Sequence, residues 1–443
     1  MTGGIASAFY GVSDNIIDQS LRYLPDDMLE VIRKFDGFYP PPKYIEIDKD
    51  KEKDKNMRYD FDVVTPRRGT GCCKWDEMPA DDILPMWVAD MDFRTAPCVI
   101  DALHRRVEHG IFGYTKVPQN YYDAVCRWFS ERHGWSIDPR SIIYTSGVVP
   151  ALSAVVKALT RSGDKVMVQT PVYNCFFSSI RNNGCTAVEV PLVYSPEGYT
   201  MDFEALEASA SDPAVRVMIL CNPHNPAGRV WREDELRRVG EICLRHDVTV
   251  ISDEIHCELT YDGHDYTPYG SLGGEISRRA VVCFSPSKAF NIAGLQIADI
   301  VAEDEDVRRR IDRAINDNEV CDVNPFGVEA TIAAYTCGGE WLDELRRYLW
   351  DNYLVLRSFF EERLPQYRVM PLEGTYLVWV DCRHTGLKSD ELVRILEDEG
   401  RVALNSGRMY GMAGEGFVRI NIACPRSVLT DGLERISSVL KRL

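Results

Sequence analysis

Between about residues 140 and 302, short runs rich in β-branched residues alternate with stretches of helical periodicity. The candidate strands span residues 141–145, 165–169, 215–220, 248–252, 280–284 and 298–302. The candidate helices between them span residues 150–160, 174–182 and 232–246. Because parallel strands need long crossover connections, usually helices, this alternation favours a mostly parallel sheet covered by helices. We therefore predict an α/β fold.

The segments on either side of this region have different patterns. Residues from about 340 to 362 have the pattern of one long helix, and strand-like runs lie near 376–380 and 416–422. These elements predict a smaller α+β domain that is completed by residues 58–105. Two short amphipathic helices in residues 13–35 and a charged linker with prolines make residues 1–57 a helical extension. The predicted small domain is thus 58–105 with 341–443, and the large domain is 106–340.

Composition excludes several classes of partner. The 68 acidic and 51 basic residues give a net charge of -17, which disfavours binding to nucleic acid over any broad surface. The fourteen cysteines have no paired metal spacing, so we predict reduced thiols and no metal site. No apolar run approaches the eighteen or so residues of a membrane span. We expect a soluble, cytoplasmic protein with no membrane partner.

Polar residues follow five of the candidate strands at the points where the strands end. In an open α/β sheet these carboxyl ends form the ligand crevice. After the first strand, Ser146-Gly147-Val148 opens a helix whose free N–H groups suit a phosphate, although many such turns are only caps. After the second strand, Tyr173 presents a ring that can stack on a flat cofactor or simply pack. After the third, Asn225 lies in a rigid loop with two Asn-Pro pairs.

The last two clusters contain the groups with the strongest chemical implication. Asp253 ends an apolar strand, and a carboxylate there is costly to bury unless a cation or a strong donor meets it. The fifth strand leads to Ser285, Ser287 and Lys288. A lysine near a cationic cofactor and away from water is held as the amine, which is the nucleophile and base that imine chemistry requires. The combination suggests a Schiff-base enzyme.

Arg419 lies within the apolar run of residues 416–422. A planar guanidinium inside a strand favours a carboxylate bound through two hydrogen bonds. An arginine on the outer face of the strand is the alternative.

In this order, the clusters resemble the fold-type I pyridoxal 5'-phosphate (PLP) enzymes, the aspartate aminotransferase superfamily, from about residue 58 to the end. The resemblance implies that Lys288 forms the Schiff base with PLP, that Asp253 pairs with the pyridine nitrogen, and that these two act with Tyr173 in catalysis. It implies that Arg419 and Asn225 bind the substrate. It also implies a set of cofactor-binding residues in the large domain, namely Asn225, Tyr173, Gly147, Val148, Ser285, Ser287 and His256.

A finer resemblance is to the cystathionine β-lyase, or carbon–sulfur lyase, branch. It rests on the motif Leu84-Pro-Met-Trp-Val-Ala-Asp-Met-Asp-Phe93, on residues 111–114, on Asp253-Glu-Ile-His256, and on residues 287–294. In relatives, the tyrosine that matches Tyr114 reaches the cofactor phosphate of the neighbouring subunit. The resemblance therefore implies a homodimer with shared active sites, in which Tyr114 contributes to cofactor and substrate binding.

Two residues depart from the wider superfamily. Gln296 stands eight residues after Lys288, where an arginine usually binds the phosphate, and His256 replaces a tyrosine. Both changes fit the lyase branch. Ala227 stands where many members have threonine, and we have no interpretation of this change.

We therefore predict a PLP-dependent cystathionine β-lyase or cysteine-S-conjugate β-lyase, with a small amino acid as its substrate. It would release a thiol, pyruvate and ammonia from L-cystathionine or a related S-substituted cysteine. Two alternatives stay open. One is an aminotransferase, which uses the same primary residues. The other is a regulatory protein in which residues 1–57 form a docking arm.

Overall fold

The fold was analysed in a computed structural model that describes residues 57–317, 319 and 322–443. The helices and the linker predicted within residues 1–56 lie outside these residues. Residues Arg58–Leu443 form one compact unit. The domain boundaries at residues 105 and 340 within that unit stay predictions, and both fall inside helices, Pro97–His109 and Gly339–Arg363.

The described strands are numbered in chain order. They are β1 (Leu84–Pro85), β2 (Ile142–Thr145), β3 (Lys165–Val168), β4 (Thr186–Glu189), β5 (Val193–Ser195), β6 (Gly198–Thr200), β7 (Val215–Cys221), β8 (Thr249–Asp253), β9 (Val281–Phe284), β10 (Ala298–Ala302), β11 (Arg368–Val369), β12 (Leu377–Asp381), β13 (Val402–Ala403), β14 (Asn405–Ser406) and β15 (Phe417–Asn421).

The α-helices are numbered in the same way. They are α1 (Cys73–Asp76), α2 (Pro97–His109), α3 (Gln119–His133), α4 (Val148–Leu159), α5 (Cys175–Asn182), α6 (Phe203–Ala210), α7 (Glu233–Arg245), α8 (Gly274–Arg278), α9 (Glu305–Asn316), α10 (Pro325–Cys337), α11 (Gly339–Arg363), α12 (Ser389–Gly400) and α13 (Arg426–Leu440).

The main sheet has the strand order β2-β10-β9-β8-β7-β3-β4. Strand β10 runs antiparallel to both of its neighbours, β2 and β9, whereas the other pairs are parallel. The prediction of an α/β fold with a mostly parallel sheet is therefore confirmed. Strand β4 was not predicted, because Thr186–Glu189 is neither strongly apolar nor alternating.

The core of this unit forms where α4 packs on the sheet. Val166, Ile251 and Val281 on the strands are fully buried, as are Leu152 and Val155 on α4. Burying apolar surface of this kind contributes about 25 cal/mol per Å². Because the central strands are covered on both faces, they read as continuous apolar runs, which is why the sequence indicated them.

A smaller sheet has the order β11-β12-β15-β14, and all of its pairs are antiparallel. Strand β1 pairs with β13 in parallel. The segment before β1 is fixed to α11, since both oxygens of the Glu344 carboxylate accept backbone N–H bonds, from Arg58 (3.0 Å) and Tyr59 (2.9 Å). Among the described residues, no helix is both long and apolar enough to cross a bilayer.

One buried carboxyl in the main sheet gives a pH prediction. Asp299 on β10 is fully buried, and the Tyr121 hydroxyl donates to both of its oxygens (2.9 and 3.0 Å). Burial raises the pKa of Asp299 to about 7, whereas an unfolded aspartate has a pKa near 3.9. Between these two pKa values the folded state therefore binds more protons than the unfolded state. The wild type should lose stability relative to Asp299→Asn as the pH rises from about 4 to about 7.

Urea unfolding of both proteins at several pH values measures this difference. A gap between the two free energies of unfolding that does not change with pH would show that Asp299 is already ionised in the fold.

Candidate active site

A cavity of about 190 Å³ lies at the carboxyl ends of the central strands. It brings together most of the residues that the sequence singled out, from five separate strand ends. Its lining includes Ala89, Ser146, Gly147, Val148, Tyr173, Asn225, Asp253, His256, Ser287, Lys288, Ala293 and Gln296.

Lys288 follows β9 in a turn whose backbone is closed by the Phe290 N–H, which donates to the Pro286 carbonyl (2.9 Å). The Lys288 ammonium donates to the Ala89 carbonyl oxygen at 2.6 Å. Burial lowers the pKa of Lys288 to about 8, with Asp90 opposing this shift and Arg419 adding to it. The amine form is therefore accessible near neutral pH, as a nucleophile or a proton acceptor requires.

Asp253 ends β8 and is almost fully buried. Its carboxylate accepts a hydrogen bond from the Ile255 backbone N–H at 3.1 Å. Burial, with a further contribution from the neighbouring Glu254 carboxylate, raises the pKa of Asp253 to about 7. A cation placed against this carboxylate within the cavity would reverse the shift, because it favours the ionised form.

Arg419 lies in the middle of β15 and is 3% exposed, so the inward orientation is the correct one. Its guanidinium donates to the Asn225 side-chain oxygen (3.2 Å), the Trp87 carbonyl (2.7 Å) and the Asn405 side-chain oxygen (3.0 Å). The Tyr410 ring lies 5.1 Å from the guanidinium carbon. The buried Nε has no hydrogen-bond partner in the part of the chain described. These contacts fix the cation next to Asn225, at the edge of the cavity.

The start of α4 forms another part of the cavity wall. Gly147 has a φ of 152°, a conformation that favours glycine. The first N–H groups of a helix have no partner within the helix, and the helix dipole makes this end attractive to an anion. Gln296, at φ 51°, lines the same cavity and contributes a neutral amide.

The side-chain rings of His256 and Tyr173 also line the cavity. Burial lowers the pKa of His256 to about 3, so the imidazole is neutral, and its buried Nδ1 has no hydrogen-bond partner among the described residues. The His256 and Tyr376 rings pack edge to face at 6.0 Å. Burial also raises the pKa of the Tyr173 phenol, which is neutral at physiological pH.

Three predicted site residues do not line the cavity: Arg419, which contacts the lining residue Asn225, and Ser285 and Tyr114. Ser285 does not line the cavity, since its hydroxyl donates to the Ile297 carbonyl (2.5 Å) and accepts from the Ser287 backbone N–H (3.1 Å). Its observed contacts therefore stabilise the turn before Lys288. Tyr114 is 98% exposed and does not line the Lys288 cavity.

The sequence did not indicate how the Leu84–Phe93 motif contacts the lysine loop. The Asn291 side chain accepts from the Met91 N–H (3.0 Å) and donates to the Met91 (2.9 Å) and Phe93 (2.8 Å) carbonyls. Asp90 and Asp92 bind Arg67 at 2.6 and 2.8 Å. The acidic residues of the motif therefore hold Arg67, while the Ala89 carbonyl lies at the site, a role that no side-chain pattern encodes.

The donor set fits PLP. The group combines a phosphate, a pyridine ring with a basic nitrogen and an aldehyde, and the cavity supplies a helix start, a buried carboxylate and a lysine amine. Asp253 and the unpartnered Nδ1 of His256 are buried polar groups that need such a ligand.

Comparisons with known proteins agree with this geometry. The sequence model of the family described as "Aminotransferase class I and II" matches residues 81–436. The cystathionine beta-lyase PatB of Bacillus subtilis (strain 168) is 44% identical over 384 residues, 86% of this chain and 99% of the relative. The protein MalY of Escherichia coli (strain K12) is 34% identical over 391 residues, 86% of this chain and 99% of its own.

Solved structures show the same fold. Cystalysin from Treponema denticola, which contains a pyridoxal 5'-phosphate cofactor, has a TM-score of 0.84 at 34% identity and matches over 87% of this chain and 100% of its own. A PLP-bound putative aminotransferase from Clostridium difficile 630 has a TM-score of 0.84 at 41% identity, over 86% and 100% of the two chains. The predicted fold class is thus confirmed. The chain belongs to the aminotransferase class I and II family.

Proposed function

We propose that the protein is a PLP-dependent carbon–sulfur lyase that splits L-cystathionine or a related S-substituted cysteine into a thiol, pyruvate and ammonia. The observation that carries this proposal is the 44% identity to a cystathionine beta-lyase over 86% of the chain, together with one cavity that holds both Lys288 and Asp253. The residues that line this cavity are the ones that such a reaction needs.

When bound, PLP supplies an electron sink that makes the Cα proton of an amino acid acidic. Lys288 would hold the cofactor aldehyde and, once displaced by the substrate amine, would remove the Cα proton. Its pKa of about 8 suits this second role, because a general base works best when its pKa lies near the operating pH.

Asp253 would hold a proton on the pyridine nitrogen by ion pairing with it. The start of α4 at Gly147 and Val148 would bind the phosphate, together with Ser287 and the amide of Gln296. Asn225 and His256 would bind the ring, and Tyr173 would stack on it. Ser285 would act indirectly by fixing the turn that carries Ser287 and Lys288.

Arg419 would bind the substrate carboxylate. Its contacts with the Trp87 carbonyl and with Asn405 hold the guanidinium plane in place, and the unpartnered Nε is one donor that remains. Fixing the carboxylate also fixes the direction of the Cα–H bond, which must point at the lysine amine for proton removal.

The assay that tests this function supplies purified protein and PLP with L-cystathionine but without an oxo acid. Stoichiometric pyruvate and thiol support elimination. Turnover that requires an added oxo acid and yields no thiol would make the protein an aminotransferase, which uses the same primary residues. An inactive but folded protein that retains the cofactor would favour the third candidate, a regulatory role.

The proposed active unit is a homodimer. Exposed apolar and aromatic side chains lie close together in sequence between α2 and α3, at Ile111 (67% exposed), Phe112 (54%) and Tyr114 (98%). Such an exposed patch is unusual on a monomer and typical of an interface. Across this interface, Tyr114 would complete the phosphate site of the partner.

Mixed dimers test the shared site. Tyr114→Ala and Lys288→Ala each disable a different half of a shared site, so co-expressed subunits should form one site with both residues intact. We expect mixed dimers to recover activity well above either parent, up to about a quarter of the wild-type sites if subunits pair at random. Activity no higher than that of the Tyr114→Ala parent, in a sample shown by light scattering to be dimeric, would place Tyr114 outside the partner's site.

We also propose that the protein works in the cytoplasm. All cysteines in the described residues are free, and seven of them are buried. Free thiols in this number favour a reducing compartment.

A further inference from the structure

The backbone carbonyl of Ala89 accepts two hydrogen bonds at the edge of the site. The Lys288 ammonium donates to it at 2.6 Å, and the Tyr376 hydroxyl donates to it at 2.9 Å. A carbonyl oxygen has two lone pairs, so the two donors use its full acceptor capacity. Lys288 therefore shares its acceptor with Tyr376, a residue that does not itself line the cavity.

The shared oxygen is fixed by the peptides on either side of it. The Asn421 side-chain amide donates to the Val88 carbonyl at 2.5 Å and to the Asp90 carbonyl at 2.7 Å. Asn421 ends strand β15, so a strand of the smaller sheet holds this segment. The Ala89 carbonyl should therefore keep its place when one of its two donors is removed.

The Tyr376 hydroxyl is held equally well. Tyr376 is fully buried, and its ring packs edge to face on the His256 ring, with the two centroids 6.0 Å apart. The preceding residue, Thr375, donates its N–H to the Leu259 carbonyl and accepts at its own carbonyl from the Tyr261 hydroxyl, both at 2.6 Å. Burial raises the pKa of the Tyr376 phenol well above its usual value, so the phenol stays protonated and remains a donor.

Two donors on one oxygen weaken each other, because each draws the electrons of the oxygen toward its own proton. The ammonium form of a lysine is a stronger donor than the amine form, and a hydrogen bond made by the charged form favours that form. An unshared Ala89 carbonyl would therefore hold Lys288 as the ammonium. The ammonium has no lone pair, so it can act neither as a nucleophile nor as a base.

We propose that Tyr376 is a positioning residue for Lys288: by sharing the Ala89 carbonyl, it weakens the hold of that oxygen on the ammonium and keeps the lysine accessible as the amine. The inference rests on the proposed lyase function, in which the lysine must act as an amine twice, first toward the cofactor aldehyde and then toward the Cα proton.

The other titratable and charged groups that face Lys288 are the same with or without the Tyr376 hydroxyl. Burial and one cation favour the amine, three groups favour the ammonium, and one neutral imidazole completes the set. These groups are, in that order, Arg419, then Asp90, Asp253 and Cys175, and then His256. A shift in the titration of Lys288 on loss of the hydroxyl can therefore be assigned to the shared carbonyl.

The first test needs no turnover. Trace acetylation of the cofactor-free, full-length protein with acetic anhydride at a series of pH values, read by mass spectrometry of the peptide with Lys288, gives the midpoint at which the amine forms. The wild-type midpoint should lie near the Lys288 pKa of about 8. In Tyr376→Phe we expect it to rise by about 0.3 to 1 pH unit, the range for one net hydrogen bond.

The second test uses the PLP-loaded enzyme. The pH profile of kcat for L-cystathionine reports the essential base in the substrate complex. Its acidic limb should move to higher pH in Tyr376→Phe by the same amount as the acetylation midpoint, so that kcat at pH 7 falls about two- to tenfold. KM should stay close to that of wild type, because Arg419 and Asn225 are untouched.

Tyr367→Phe is the matched control. Tyr367 is 3% exposed, and its hydroxyl donates to the Leu440 backbone carbonyl at the same 2.9 Å, away from the Lys288 cavity. It should lose a similar amount of stability and leave both the acetylation midpoint and the pH profile unchanged.

Replacing Tyr376 with 3-fluorotyrosine gives a second variant that keeps the ring and the hydroxyl. Fluorine makes the phenol a stronger donor, so the midpoint should fall below that of wild type. A midpoint that does not rise in folded Tyr376→Phe, or does not fall in the fluorotyrosine protein, overturns the role of Tyr376. Failure of the wild type to split L-cystathionine would instead overturn the proposed function, whatever the acetylation midpoints are.

Discussion

Replacing Lys288 by alanine should abolish the absorbance of the lysine-bound cofactor and lower turnover by roughly 10²- to 10⁴-fold, the range for loss of a general base. Lys288 would be both the attachment point and the base, so the effect should lie at the upper end. The substitution removes an ammonium whose described hydrogen bond goes to the Ala89 carbonyl. The fold should therefore survive, and circular dichroism and thermal unfolding check this.

Lys441→Ala is the matched control, because Lys441 follows the last helix and is exposed. It should leave the spectrum and the rate unchanged. If folded Lys288→Ala protein keeps both the cofactor absorbance and the rate, the assignment of Lys288 is wrong.

Replacing Asp253 by asparagine should lower turnover by roughly 10²- to 10³-fold, the cost of losing one preorganised electrostatic contact in an active site. The amide has the shape of the carboxyl group but cannot hold a proton on the pyridine nitrogen as an ion pair. Because Lys288 is intact, the protein should still bind the cofactor covalently, with a weaker affinity and a shifted absorbance maximum. Stopped-flow measurement of Cα–H exchange on the substrate separates this defect from one in binding.

The same substitution should stabilise the cofactor-free protein against unfolding, although it lowers turnover. Burial raises the pKa of Asp253 to about 7, so without a cation the ionised carboxylate destabilises the fold above that pH. At pH 8, cofactor-free Asp253→Asn should therefore unfold at a higher temperature than cofactor-free wild type. Asp265→Asn makes the same substitution at an exposed aspartate, and it should alter neither turnover nor stability. An Asp253→Asn enzyme with wild-type turnover would exclude a role for the carboxylate at the ring nitrogen.

The six strands of the main sheet that were predicted agree with the structure to within one residue at most ends. Strands such as β8 and β9 are largely apolar and buried on both faces, and such runs are visible in sequence because both faces select the same residue types. Strand β4 lies at the edge of the sheet, where half-exposed residues such as Thr186 leave no such pattern. Strands of two or three residues, such as β1 and β14, are too short to show any periodicity.

The site was predictable for a related reason. Parallel strands bring their carboxyl ends to one edge, so Tyr173, Asn225, Asp253 and Lys288 had to lie near one another once the strands were correct. The orientation of each side chain did not follow from this. Ser285 and Ser287 are two residues apart in one turn, yet only Ser287 lines the cavity, because the Ser285 hydroxyl is bound to the Ile297 carbonyl.

The order of the main strands along the chain, the residues that follow them, and the chemistry of a lysine with a buried acid could all be read from the sequence. Which backbone and charged groups complete the site is visible only in the folded chain. The Ala89 carbonyl contacts Lys288 across 199 residues, and the Asn291 amide donates to the carbonyls of Met91 and Phe93, which are 200 and 198 residues away. Such contacts depend on where distant segments meet, and neither local propensity nor spacing along the chain encodes that.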